Sequence, residues 1–260
     1  MIVMEFQIPV RKNKRLRTLV DRINADQELF QLWKCANVNA VDRSGISDHG
    51  EVHIRIVANA ALRIIRLLTG SGVTPSVVTD HGLAAEDAEL IVVLAACLHD
   101  VGISVHRDNH ERYSVLIAFR KARELLEGIY IEPDLTTMVS EILHAVIAHD
   151  AREKCLTIEA GVLKVADATD ITSGRSRIPF EAGTVNIHSV SAQAVDSVNI
   201  IKGTEKPVCI EITLANSAGI FQVDELLRNK LENSPLMPFV EVVAKIEGET
   251  ERRLFDSFTI

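Results

Sequence analysis

Nine consecutive apolar residues, Leu90 to Leu98 in "LIVVLAACLHDVG", run directly into His99 and Asp100. A segment apolar on every side is buried all round, and this one falls far short of the ~18 residues that would suggest a membrane span. The rest of the chain must therefore wrap it, and 260 residues are enough to bury such a core. Ending the segment on an imidazole and a carboxylate costs free energy unless both are hydrogen-bonded or hold an ion.

The flanking sequence predicts what does the wrapping. From about residue 14 to 172 apolar positions recur at helical spacing, with breaks at Gly45, residues 69–76, Gly102 and the Pro133 region. Two helices are expected to start at capping boxes, Asp48 with Glu51 and Asp108 with Glu111; others run from near Asp134 to His149 and from Thr157 to Ile171. Beyond the loop at 173–183 the texture changes. "VDSVNII" and "PVCIEITL" read as strands about a turn at Gly203, "VDELLRNKLE" as a helix and "FVEVVAKI" as a further strand. The expected architecture is mainly α: an all-helical domain over 1–180, then a small α+β domain over 181–260 in the order strand, strand, helix, strand.

A net charge of −8 argues against a protein that coats nucleic acid or an anionic membrane, and the basic run "RKNKRLR" at 11–17 reads as a solvated helix face. Cys35, Cys97, Cys155 and Cys209 form no CxxC pair, so no zinc ribbon or disulfide framework is indicated and a reducing cytoplasm suits them. The first residues carry too short an apolar stretch for a signal peptide.

With residues placed at 100° each on the helix from His49 to Thr69, Val57, Ala60, Ile64 and Leu67 fall within about 40° of His53, and Arg55, Asn59, Arg63 and Arg66 lie opposite. His53 points inward. On the helix ending at His149, that histidine shares its face with Leu135, Met138, Ile142, Ala145 and Val146, while His144 lies about 140° away. Asp167 shares a face with Ala160, Leu163 and Ile171. An inward carboxylate must be protonated, paired or on a metal. His53, His99, Asp100 and Asp167 together make a nitrogen and oxygen set suited to Mn, Fe, Co, Ni, Zn or Mg. His99 and Asp100, adjacent on a helix, can converge on one ion near its end, where Gly102 lets the chain turn away.

This order, an inward His, a His-Asp doublet after an apolar helix and a distant Asp in "VADATD", resembles the HD superfamily of metal-dependent phosphohydrolases over roughly residues 20–180. His53 matches its first His, His99 and Asp100 its doublet, and Asp167 its last Asp. His110 and His149 stand where some members carry two further histidines that complete a second metal site. His49 occupies the place of a metal-binding Glu in the HD-GYP subgroup, whose Lys after the doublet's glycine, second His and GYP are missing here, which speaks against cyclic dinucleotide cleavage.

The resemblance implies hydrolysis of a nucleotide or related small phosphate ester by a metal-activated hydroxide, with one or two divalent ions as cofactor. Asp100 is the bridging candidate, and His110 and His149 hold the second ion; with a single ion these two would instead bond or protonate phosphate oxygens. Arg175, Arg177 and Arg43 flank the proposed ligands in sequence and are candidate phosphate contacts. The C-terminal unit carries no comparable cluster and is expected to recognise substrate, sense a ligand or make a homodimer contact. The competing readings are a ligand-sensing HD protein without catalysis and a di-iron HD oxygenase.

Overall fold

A computed structural model describes residues 6–172, 191, 193–247 and 257–259. The apolar run forms the centre. Helix α5 (Ala85–Leu98) has every residue from Leu90 to Leu98 fully buried. It is packed by α1 (Lys14–Ala25), α3 (Glu51–Gly70), α4 (Ser76–His81), α6 (His110–Leu126), α7 (Asp134–Ala148) and α8 (Ile158–Ala168), while α2 (Gln27–Asn37) lies against the turn that follows α5. Polar side chains set several of these helix starts: Asn13, Asp26 and Thr157 each accept the backbone N–H of the residue three positions on. No described helix is long and apolar enough to cross a membrane.

Neither expected capping box forms. Helix α3 begins at Glu51 after Gly50, two residues later than the His49 start read from the sequence; Asp48 still caps it by accepting the His53 N–H at 3.1 Å. Glu51 Oε1 is buried with no hydrogen-bond partner among the described residues. Helix α6 begins at His110, and its N-cap is Asn109 in the left-handed conformation, at φ 59°, which leaves Asp108 outside the helix.

Gly102 also acts differently from the chain-reversing glycine expected. The chain passes from α5 into a 3-10 turn, Val101–Ser104, and Gly102 lacks the positive φ of a helix-ending glycine. What excludes a side chain there is proximity. A Cβ on Gly102 would stand 2.1 Å from the backbone oxygen of His110 and 2.4 Å from the backbone nitrogen of Ser114. The Gly102 N–H donates to Ser114 Oγ at 2.8 Å. The missing Cβ lets the start of α6, and His110 with it, lie directly against the end of α5.

The C-terminal unit is a four-stranded sheet in the order β1 (Val195–Lys202), β2 (Val208–Leu214), β3 (Val240–Ile246), β4 (Ser257–Thr259). The β1–β2 hairpin is antiparallel, with Ile200 opposite Ile210. β2 and β3 run parallel, with Ile210 opposite Val242, as a helical crossover between them requires. That crossover, α9, comprises Ile220–Gln222, a wide π turn at Val223–Arg228 and Asn229–Glu232. It packs on α8. The fold is thus a helical bundle with a small α+β unit at its C-terminal end, β4 being the strand not anticipated.

Candidate metal centre

Five side chains from four parts of the bundle meet beside the end of α5. His53 comes from the first turn of α3, His99 and Asp100 from the end of α5, His110 from the first residue of α6 and His149 from just past α7. All are at most 5% exposed, so solvent does not offset the cost of bringing them together.

Asp100 is the hinge of the arrangement. Its Oδ2 lies 3.3 Å from Nε2 of His53 and 3.2 Å from Nε2 of His99. Its Oδ1 lies 3.1 Å from Nε2 of His110 and 3.7 Å from Nε2 of His149. Asp167 joins the first pair, with Oδ1 3.4 Å from His53 Nε2 and 3.8 Å from His99 Nε2. Two groups that could hold an ion therefore share one carboxylate: His53, His99 and Asp100, and Asp100, His110 and His149.

The rings are turned to present lone pairs to this space. Nδ1 of His53 faces Asp170 Oδ2 at 2.7 Å, Nδ1 of His99 faces the Ala96 carbonyl at 2.8 Å, and Nδ1 of His149 faces the Val146 carbonyl at 2.6 Å. Each of these Nδ1 atoms faces an oxygen that can only accept and so donates its proton outward, which leaves each Nε2 able to accept a hydrogen bond or to ligate an ion. His110 Nδ1 lies among the Arg107 carbonyl, Arg107 Nη1 and Glu111 Oε1. Nε2 atoms face each other at 3.3 Å twice, His53 with His99 and His110 with His149. His53 and His99, each donating through Nδ1, bring two lone pairs to that distance, which repel unless a cation lies between or beside them, and a carboxylate oxygen stands next to each pair of rings. That donor set fits a divalent ion of the Mn to Zn group.

The ionisation states agree. Burial pushes the Asp100 carboxyl up, but the surrounding imidazoles, His99 first and then His110, His149 and His53, outweigh it and hold the group well below the usual carboxylate range. For Asp167 burial is likewise overcome, by Lys230 first and then by His53 and His99. Burial lowers the His149 imidazole below its ordinary value, against the opposing pull of Asp100, and so favours the neutral form that ligates. At neutral pH both carboxylates are ionised and His149 is neutral.

A family model of the HD domain matches residues 51–172, the span from α3 to just past α8 that contains His53, His99, Asp100, His110, His149 and Asp167. This chain belongs to the HD-domain family. It is also similar to the uncharacterized protein MJ1020 of Methanocaldococcus jannaschii, 41% identical over 244 residues that cover 94% of this chain and 93% of that one. No solved structure matches the chain.

Relative to the HD residues read from sequence, the structure brings together His53, His99, Asp100, His110, His149 and Asp167. His49 lies nearby, its ring centroid 5.4 Å from that of His53 and its Nδ1 2.7 Å from the Ser47 carbonyl. Arg43 is exposed and donates to Asn39 on its own helical turn at 2.8 Å. Arg175 and Arg177 lie outside the described residues. Sequence reasoning missed two side chains that touch the HD site. Asp170, behind His53, had a detectable signal, since it stands three residues after Asp167 in "DATD". Lys230, on α9, pairs with Asp167 Oδ2 across 63 positions of sequence, and nothing local announces it.

Proposed function

We propose that the chain is a metal-dependent phosphohydrolase acting on a nucleotide or related small phosphate ester. The observation that carries this reading is Asp100, whose two oxygens each face a different pair of imidazoles. Membership of the HD family supports it, because that superfamily is one of metal-dependent phosphohydrolases.

His53, His99, Asp167 and Asp100 would hold one ion, and Asp100, His110 and His149 the second. Bound divalent ions supply Lewis acidity toward phosphoryl oxygens and lower the pKa of water. The chain's own residues do the rest. Asp170 and the two backbone carbonyls hold three imidazoles in the ligating tautomer, so no reorganisation is needed when the site is used. Burial of the cluster excludes bulk water and strengthens each electrostatic contact. His110, with Arg107 Nη1 2.8 Å from its Nδ1, is placed to hold or deliver a proton at a phosphate oxygen if the second ion is absent. Arg43, Arg175 and Arg177 are the arginines proposed to meet substrate phosphate.

A screen for phosphate release tests the proposal: nucleoside mono-, di- and triphosphates and p-nitrophenyl phosphate, each with protein loaded with Mn, Fe, Co, Ni, Zn or Mg. Release by the wild type that disappears in Asp100→Ala is the expected result. A metal-loaded protein that releases phosphate from none of these contradicts it and favours a ligand-sensing HD protein.

A further inference from the structure

The bundle's metal-capable cluster is not built by the bundle alone. Lys230 reaches it from α9 and forms an ion pair with Oδ2 of Asp167, while Oδ1 of the same carboxylate faces His53 and His99. The two side chains are 16% and 13% exposed, the most open edge of a cluster whose other members are nearly closed off.

Lys230 is held there by packing. Leu227 and Leu231, on either side of it in α9, are fully buried. Just after α9, the Asn233 carbonyl accepts the Cys155 N–H at 3.1 Å and Asn233 Nδ2 donates to the Ala151 carbonyl at 3.0 Å. A Cβ on Gly161 of α8 would stand 2.9 Å from Pro235 Cδ, so α8 and the segment after α9 are in direct contact. These contacts aim an ammonium at Asp167, the more open of the two carboxylates that face the imidazole Nε2 atoms.

We infer that Lys230 is a substrate-binding residue, the cation through which the C-terminal unit grips the phosphate of the ester. The inference rests on the phosphohydrolase reading and deepens it. An ion held by Asp167 Oδ1 leaves the ammonium on the opposite oxygen, so a phosphate approaching from the open edge meets two positive centres at once. An ammonium is a compact point charge with three donors, suited to a terminal phosphate that presents several oxygens. It also explains a split site: the bundle supplies the metal ligands and the α+β unit a grip on the anion.

The test titrates Mn²⁺ and then inorganic phosphate, by calorimetry, into the full-length wild type, Lys230→Met and Lys230→Arg. Removing a positive charge beside the ligands favours a bound cation, so Lys230→Met is expected to bind Mn²⁺ as tightly as the wild type or a few-fold tighter. Its affinity for phosphate in the Mn-loaded state should fall roughly tenfold or more, the value of a charge-assisted hydrogen bond, with Lys230→Arg restoring most of it. Unchanged phosphate affinity in Lys230→Met overturns the assignment and leaves Lys230 as a counter-ion of Asp167 alone. Wild-type protein that binds no Mn²⁺ overturns the metal-site reading itself, and the role of Lys230 with it.

Discussion

Oδ2 of Asp170 lies 2.7 Å from Nδ1 of His53, on the opposite side of the ring from the nitrogen that faces Asp100. A carboxylate in that place fixes the tautomer and raises the basicity of the ligating Nε2. Asp170→Ala is therefore expected to weaken metal binding by roughly 10- to 100-fold, with Asp170→Asn losing less. Calorimetric titration of the chelator-stripped protein measures it, and equal affinity in wild type and Asp170→Ala would show that the carboxylate does not tune the ring.

Asp100 and His144 provide a contrast between histidine-rich helix faces. Asp100→Ala removes the carboxylate shared by both ligand groups and should abolish metal retention while leaving helical content intact. His144 sits away from the cluster, its Nε2 accepting the Leu156 N–H at 3.1 Å. His144→Ala should cost about 1 kcal/mol of stability and leave metal content unchanged. Metal analysis and circular dichroism on both variants check this, and similar metal loss from the two would be incompatible with the helix faces described.

Gly102 connects the doublet to the second ligand group. A methyl there collides with the backbone of His110, so Gly102→Ala should cost about 1–3 kcal/mol or more and push the start of α6 away from Asp100. The expected signature is lower urea stability together with loss of the ion held through His110. A variant with wild-type stability and metal content would mean that α6 yields at no cost.

The pH dependence of the metal-free protein follows from His149. Burial lowers its folded pKa below the ordinary 6.5, so between that lowered value and 6.5 the unfolded chain binds a proton that the fold does not. Stability is then fully present above 6.5 and falls as the pH drops through this window. Urea unfolding of chelator-treated protein at several pH values between 7.5 and 5 should show the decline, with a shallower slope in His149→Asn. A slope identical in the two would assign the decline to other groups.

How much of this was legible beforehand depends on distance along the chain. His53, His149 and the doublet are visible because each sits on a helix whose apolar positions reveal which way it faces. Asp167 follows by the same rule, although Lys230 and the partly open edge beside it do not. His110, in the first turn of α6, is marked as a candidate ligand by the resemblance to the HD superfamily and not by helical spacing, and the close approach permitted by Gly102 is what buries it. Asp170 follows the end of α8, where helical spacing no longer predicts direction. The two capping boxes failed because cap residues compete locally: Gly50 and Asn109 take the positions that Asp48 and Asp108 were expected to fill. In the C-terminal unit the alternation of side chains marks three strands and a crossover, but a tertiary contact such as Lys230 to Asp167 has no local pattern.

The central claim is a two-ion centre bridged by Asp100, and metal content tests it most directly. Protein prepared without chelator or histidine tag, reconstituted with Mn, Fe, Co, Ni or Zn and analysed by elemental mass spectrometry beside His149→Ala, should carry about two ions per chain, falling to about one in the variant. Metal no higher than background in the reconstituted wild type would contradict the account and make His53, His99, Asp100, His110 and His149 a buried hydrogen-bond cluster.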